Sequence, residues 1–188
     1  EVLASSRLHH VLRYSLQIAN YINHGSLEGA KTYSVASFSA FASFKLGSSS
    51  ALHYLCLTLC NAEFVRGLKA DLSQVFDAAR ESSEVRQEEL RTFATFSHDA
   101  QEQLQSEVDE AAHSRTAELL RVLRSEQTQL QQAEKRAQSR VEEAQRFLGE
   151  RSTVLAKSET FFTHIVGLVR HLEENAGESR DSGIPKAL

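Results

Sequence analysis

The residues best equipped for metal or thiol chemistry are His53, Cys56 and Cys60, which fall at steps of three and four. On a helix that spacing puts one imidazole and two thiols on part of one face, the beginning of a zinc site. Tetrahedral closure calls for a further pair of ligands in a C-x-x-C arrangement, and the chain, with 2 Cys in all, has none. The two cysteines are therefore read as reduced, buried thiols. A disulfide between them is disfavoured, because adjacent helical turns hold the Cα atoms near the long end of the permitted range with side chains running parallel. His9 and His10 point to different faces of a helix, and His164 and His171, seven apart, read as surface residues.

Carboxylates are plentiful but cluster as solvated helix faces, as in Glu107-Val108-Asp109-Glu110 and Glu142-Glu143. No pair stands out for acid–base work. Hydrolase and kinase signatures need glycines at fixed steps for a strained nucleophile turn or a phosphate cradle, and none is present. The expectation is a protein that is not an enzyme, with no catalytic residue, no metal site and no cofactor.

Any site must then be a contact surface, positioned by the elements along the chain. With 188 residues and 41% hydrophobic content the chain can build a core, and 1 Pro against 8 Gly is the composition of a mostly helical protein. The formal net charge of -4 leaves no positive excess to neutralise phosphates, which argues against nucleic acid as the main partner. The longest stretch free of Asp, Glu, Lys, Arg and His, Thr32 to Phe44, is well short of the roughly 20 apolar residues a membrane span requires. The N-terminus lacks the continuous apolar core of a secretory signal, and a cytosolic setting fits.

Leu8, Val11, Leu12, Leu16, Ile18, Ala19 and Ile22 predict a first helix over Val2 to Ile22, ended by Asn23-His24-Gly25. Val35, Phe38, Phe41 and Phe44 recur at steps of three and suggest a short helix with an aromatic stripe; alternation makes a strand the rival reading. Gly47 and the following serines supply a loop and N-cap for a strongly apolar helix, ALHYLCLTLCNAEFVRGL, expected to be buried on most sides. A further helix runs from Leu68 to about Ser97, with a break possible around Ser82-Ser83. Leu104 to Leu148 carries a thin three-four stripe that needs another helix to cover it, and Gly149 is a plausible stop. The last helix, Ser158 to Glu174, buries Phe161, Phe162, Ile165, Leu168, Val169 and Leu172, with Ser158 as its expected N-cap. No repeat or linker divides the chain, so the expectation is an all-α, elongated helical bundle with long coiled-coil-like helices.

Specific strings add a family. LRYSLQIANYINHGSLEGAKTYSV resembles the signature of the formin homology 2 domain, where a helix ends in Gly-Asn-Tyr-hydrophobic-Asn before a glycine-containing loop. SSSALHYLCLTL looks like that family's Thr-Leu-Leu-His-Tyr-Leu helix, and VFDAARESSEVRQEEL is similar to a later family stretch. FLGERSTVLAKSETFFTHIVGLVRHLEEN resembles its closing segment, where a Phe-Gly-Glu phrase precedes a Glu-Glu-Phe-Phe helix. The four matches are collinear. Residues 1–176 resemble the C-terminal part of a domain, its post and adjoining coiled-coil region, and residues 177–188 read as a flexible tail.

The resemblance implies an actin-binding module of a divergent formin, acting in filament nucleation and barbed-end elongation within a dimer in which the lasso of one subunit wraps the post of the other. It implies that Asn20, Tyr21, Asn23 and Gly25 form the lasso-accepting dimer face and that Lys45 contacts actin. Implied partners are actin, a second subunit and, through upstream regions of the full protein, profilin; the implied setting is the cytoplasmic cytoskeleton. Ala19 stands where the family has glycine, Ser34-Val35 replaces Gly-Phe, and the lysine loop is contracted to SFKLGSSS. Beside this stands a scaffold reading, in which a formin-like fold binds a partner other than actin.

Overall fold

The computed structural model describes residues 1–27, 29–32, 34–59, 61–106, 110–150 and 158–178, with the side chains of 106, 110–113, 177 and 178 left aside. The fold is all-α, and the chain divides into two compact units, Glu1–Arg80 with Glu142–Leu188 and Glu81–Val141.

The first unit opens with α1, Ser6–His24. Ser5 caps it: its hydroxyl oxygen accepts the Leu8 N–H at 3.2 Å and the O–H donates to Asp71 at 3.1 Å. Gly25, at φ 66, ends the helix in the left-handed conformation expected of it, and its N–H donates to the Tyr21 carbonyl. Burial follows the expected stripe at Leu8, Val11 and Leu12, whereas Leu16, Ile18, Ala19 and Ile22 are only half-buried. The periodicity misses two buried polar residues, Ser15 and Asn20. Ser15 is tolerated because its hydroxyl donates to the Val11 carbonyl at 2.8 Å.

A 3-10 turn, Val35–Ser37, leads into α2, Phe38–Ser43, which buries Phe38 and Phe41. The helical reading of this segment holds and the strand does not, but the stripe stops at Phe41. Phe44 turns extended, with ψ 125, and starts a small hairpin of β1, Lys45–Leu46, and β2, Ser49–Ser50, closed at Gly47 with φ 65. The apolar run after it is two helices: α3, Ala51–Leu59, and α4, Ala62–Asp71. Asn61 makes the division, its side-chain oxygen accepting the Phe64 N–H at 2.7 Å. Nor is α3 buried on most sides, since Tyr54 and Leu57 are exposed opposite Leu52, Leu55 and Cys56. Cys60 lies outside the described residues.

Arg7 lies across Gly67 of α4 and pairs with Asp71 at 2.9 Å; a Cβ at Gly67 would stand 2.7 Å from the guanidinium. A short α5, Ser73–Ala78, completes this segment. The last helix among the described residues, α8, Ser158–Glu178, sits at the centre of the unit against α2, α3, α4 and α5. It buries Phe161, Ile165, Val166, Leu168, Val169 and Leu172, while Phe162 is half-buried.

The second unit is built from α6, Ser83–Ser106, and the greater part of α7, Glu110–Phe147. The break expected at Ser82-Ser83 is there, and the Ser82 hydroxyl accepts the Val85 N–H at 3.4 Å. The helices run antiparallel: Arg86 meets Glu134 at 3.6 Å, and Arg124 donates a hydrogen bond to Gln101. So α6 is the helix that covers the thin stripe of α7. Coverage is slight, with Ser97 and Leu120 alone buried among the described residues of the unit. On its exposed face Arg121, hydrogen-bonded to Glu118 at 2.8 Å, holds that carboxyl below the usual carboxylate range. Gly149, at φ 72, follows the end of α7 as expected.

Candidate partner-binding surface

The motif at the end of α1 separates into residues that build the surface and residues that present it. Asn20 is buried, 5% exposed, and ties down the loop that follows. Its side-chain nitrogen donates to the carbonyls of Ala30 at 3.0 Å and Leu27 at 3.5 Å, and its oxygen accepts the Ala30 N–H at 3.0 Å. A short polar side chain thus stands in for the backbone partners that the chain lacks beyond the helix end. The loop passes so close that a Cβ on Gly29 would lie 2.6 Å from His24 and 2.9 Å from the Asn20 oxygen. Gly25 provides the reversal and Asn20 the anchor.

Tyr21 is different: 63% of it is exposed, on the same helical turn. A large amphipathic ring held out on a rigid helix loses little entropy when a partner covers it, which makes it a suitable anchor. Asn23 is also exposed and lines a groove of about 210 Å³ between α1 and α2, with Ala19, Ile22, Phe41 and Phe44. The residue at position 19 is therefore part of the surface itself. A methyl there takes up groove space that a glycine would leave open. Phe44, half-exposed at the lip of the groove, directly precedes Lys45, which is exposed at the start of the hairpin. The groove and Lys45 are thus linked through a single backbone step.

Three contributors escaped the sequence reading. Gly29 was visible as a second glycine in the loop, but nothing in the sequence says which side chains its missing Cβ would meet. Phe44 continues the aromatic stripe by spacing, yet it lies just past the helix end and is 46% exposed. Glu150, from the closing Phe-Gly-Glu phrase, reaches back so that its carboxylate accepts the Ser34 hydroxyl at 2.8 Å and faces the Ala36 N–H at 3.5 Å. An acidic group at the start of the Val35–Ser37 turn satisfies an otherwise orphan donor and suits the positive end of the following α2. Ser34, where the resemblance expects glycine, supplies one of those two contacts.

As for metals, His53 is half-buried and Cys56 buried, and among the described residues no group of three metal-ligating side chains comes together. No described helix is long and apolar enough to cross a membrane.

Comparison with known proteins gives one positive result. The family model described as Formin Homology 2 Domain matches residues 1–173, nearly the whole chain. A search of curated proteins finds no match. The match runs through α1 with its anchored loop, the Lys45 hairpin, both long helices and most of α8. The chain belongs to the formin homology 2 family, non-enzymatic actin-binding domains that self-dimerise and serve formins in filament nucleation and elongation.

Proposed function

We propose that this chain is the post and adjoining coiled-coil part of a divergent formin homology 2 domain, residues 1–176 followed by a tail at 177–188, and that it works in actin nucleation and barbed-end elongation once a lasso closes the dimer. The observation that carries the reading is the family match over residues 1–173. The surface supports it in kind: an exposed Tyr21, the groove beside Asn23 and an exposed Lys45 offer contact chemistry and nothing that makes or breaks bonds.

Within this reading Tyr21 and Asn23 touch the partner's lasso, Asn20 and Gly25 shape the face, and Lys45 contacts actin as a point charge. The full protein acts at the cytoplasmic cytoskeleton, with profilin recruited through upstream regions. The scaffold reading, in which a partner other than actin is bound, draws its support from the lightly covered second unit.

The test is pyrene-actin assembly with a longer chain that adds the N-terminal half of the domain. Faster nucleation or altered barbed-end elongation is expected, and Lys45→Asp should reduce it while leaving the dimer intact by sedimentation. No effect of the parent chain on actin removes the actin reading; an unchanged rate in the Lys45 variant removes that assignment alone.

A further inference from the structure

Lys45 is the only Asp, Glu, Lys or Arg between Lys31 and Glu63. A lone exposed cation is screened by water and salt and contributes little to a contact unless apolar surface beside it keeps water out. The hairpin that carries Lys45 ends where α3 begins, and it leads to such a surface. Its register sets Lys45 directly opposite Ser50, and opposed residues of an antiparallel pair send their side chains to the same side of the ladder. Ser50 then caps α3, its hydroxyl oxygen accepting the His53 N–H at 3.1 Å. Tyr54 follows four residues after Ser50 and Leu57 three after that, spacing that keeps them in line along one side of the helix. At about 100° per residue this side is opposite the packed one. Leu52, Leu55 and Cys56 are at most 4% exposed, whereas Tyr54 and Leu57 are 45% and 48% exposed. The Tyr54 ring meets His53 edge-on, with centroids 6.3 Å apart, so it is held in place while open to a partner.

We infer that Lys45, Tyr54 and Leu57 form one continuous ridge that binds actin, the two apolar side chains acting as its anchor and Lys45 as the charge at its edge; the inference rests on the reading of Lys45 as an actin contact. The family is one of actin-binding domains, so the chain has an actin surface to assign. Continuity assigns it here, because the ladder pair joins the cation to the apolar side of α3 without a break. Position separates the ridge from the Tyr21 face. Phe44 is extended, and successive side chains of an extended segment point to opposite sides, so Phe44 lines the groove with Asn23 while Lys45 turns toward Ser50 and the ridge. A second subunit on the groove and actin on the ridge can therefore be held at once. The chemistry fits an apolar patch on actin bordered by a carboxylate, with the broad, rotor-poor Tyr54 ring as the natural anchor.

The experiment is pyrene-actin assembly over a concentration series of the longer chain that adds the N-terminal half of the domain, with Tyr54→Ala, Leu57→Ala and Lys45→Asp made singly. Both apolar positions are exposed, so the fold is expected to survive, which circular dichroism checks. Each of the three should raise the concentration needed for half-maximal assembly by at least about fivefold, with the dimer unchanged by sedimentation. A parent chain without effect on actin removes the actin reading itself, and this inference with it. A parent that is active and sensitive to Lys45→Asp, but indifferent to Tyr54→Ala and Leu57→Ala, overturns the ridge alone. Dimers weakened by the Tyr54 and Leu57 substitutions also overturn it and assign the face to the second subunit.

Discussion

Asn20 and Tyr21 are neighbours in the chain and face opposite demands. Asn20 is committed inward, with three hydrogen bonds to the loop residues Leu27 and Ala30, and Tyr21 is committed outward. Replacing Asn20 by Ala would strip Ala30 of partners for both its N–H and its carbonyl. The expected cost is roughly 1–3 kcal/mol in urea denaturation, with faster hydrogen exchange in the loop. Replacing Tyr21 by Ala should change stability by no more than about 0.5 kcal/mol, since little of the ring is buried. The same Tyr21 variant, in a longer chain carrying the lasso, should show weaker association by sedimentation. A stability loss at Tyr21 comparable to that at Asn20 would mean that the ring serves the fold and not a partner. The pair explains how much of this surface was legible: the motif marked both residues together, but its spacing could not tell a buried carboxamide from an exposed ring, because both sit where a helix gives way to a loop.

At the scale of elements the sequence was informative wherever one residue decides the outcome. Gly25, Gly149 and the Ser82 break all fell where expected, because a left-handed turn or a helix cap has few substitutes. It failed at Asn61, where the apolar run Ala51–Leu68 conceals a boundary. Hydrophobic spacing continues through the break, so periodicity alone reads one helix. The cap shows itself only in the bond from the Phe64 N–H to the Asn61 side chain. Asn61→Ala should therefore cost about 1 kcal/mol, and Asn61→Gly only a few tenths, as measured by thermal or denaturant unfolding. If the Ala variant were as stable as the parent, the two helices would be held apart by packing and not by the cap. Phe44 is the parallel case in the aromatic run, where two steps of three were real helix and the third fell just beyond its end.

The whole molecule distributes its core unequally, and this has a thermodynamic consequence. The first unit draws on both ends of the chain, with α8 inserted among elements contributed by the first 80 residues. Phe161, Ile165, Leu168, Val169 and Leu172 are all at most 1% exposed there. The second unit has one buried hydrophobic side chain among its described residues, Leu120. No compositional change marks Glu81 or Val141, because the same helix-forming residues continue across both positions; the division lies in how much apolar surface each part covers. Since apolar burial is what opposes chain entropy, the two parts should unfold at different temperatures, the hairpin first. Circular dichroism during heating should then show two steps, in breach of two-state behaviour. Phe161→Ala should destabilise the later step by about 3–5 kcal/mol and leave the earlier one in place, while Leu120→Ala should shift the earlier step alone. One cooperative transition, moved equally by both substitutions, would show that the units share their stability and that the thin core of the hairpin is not its limit.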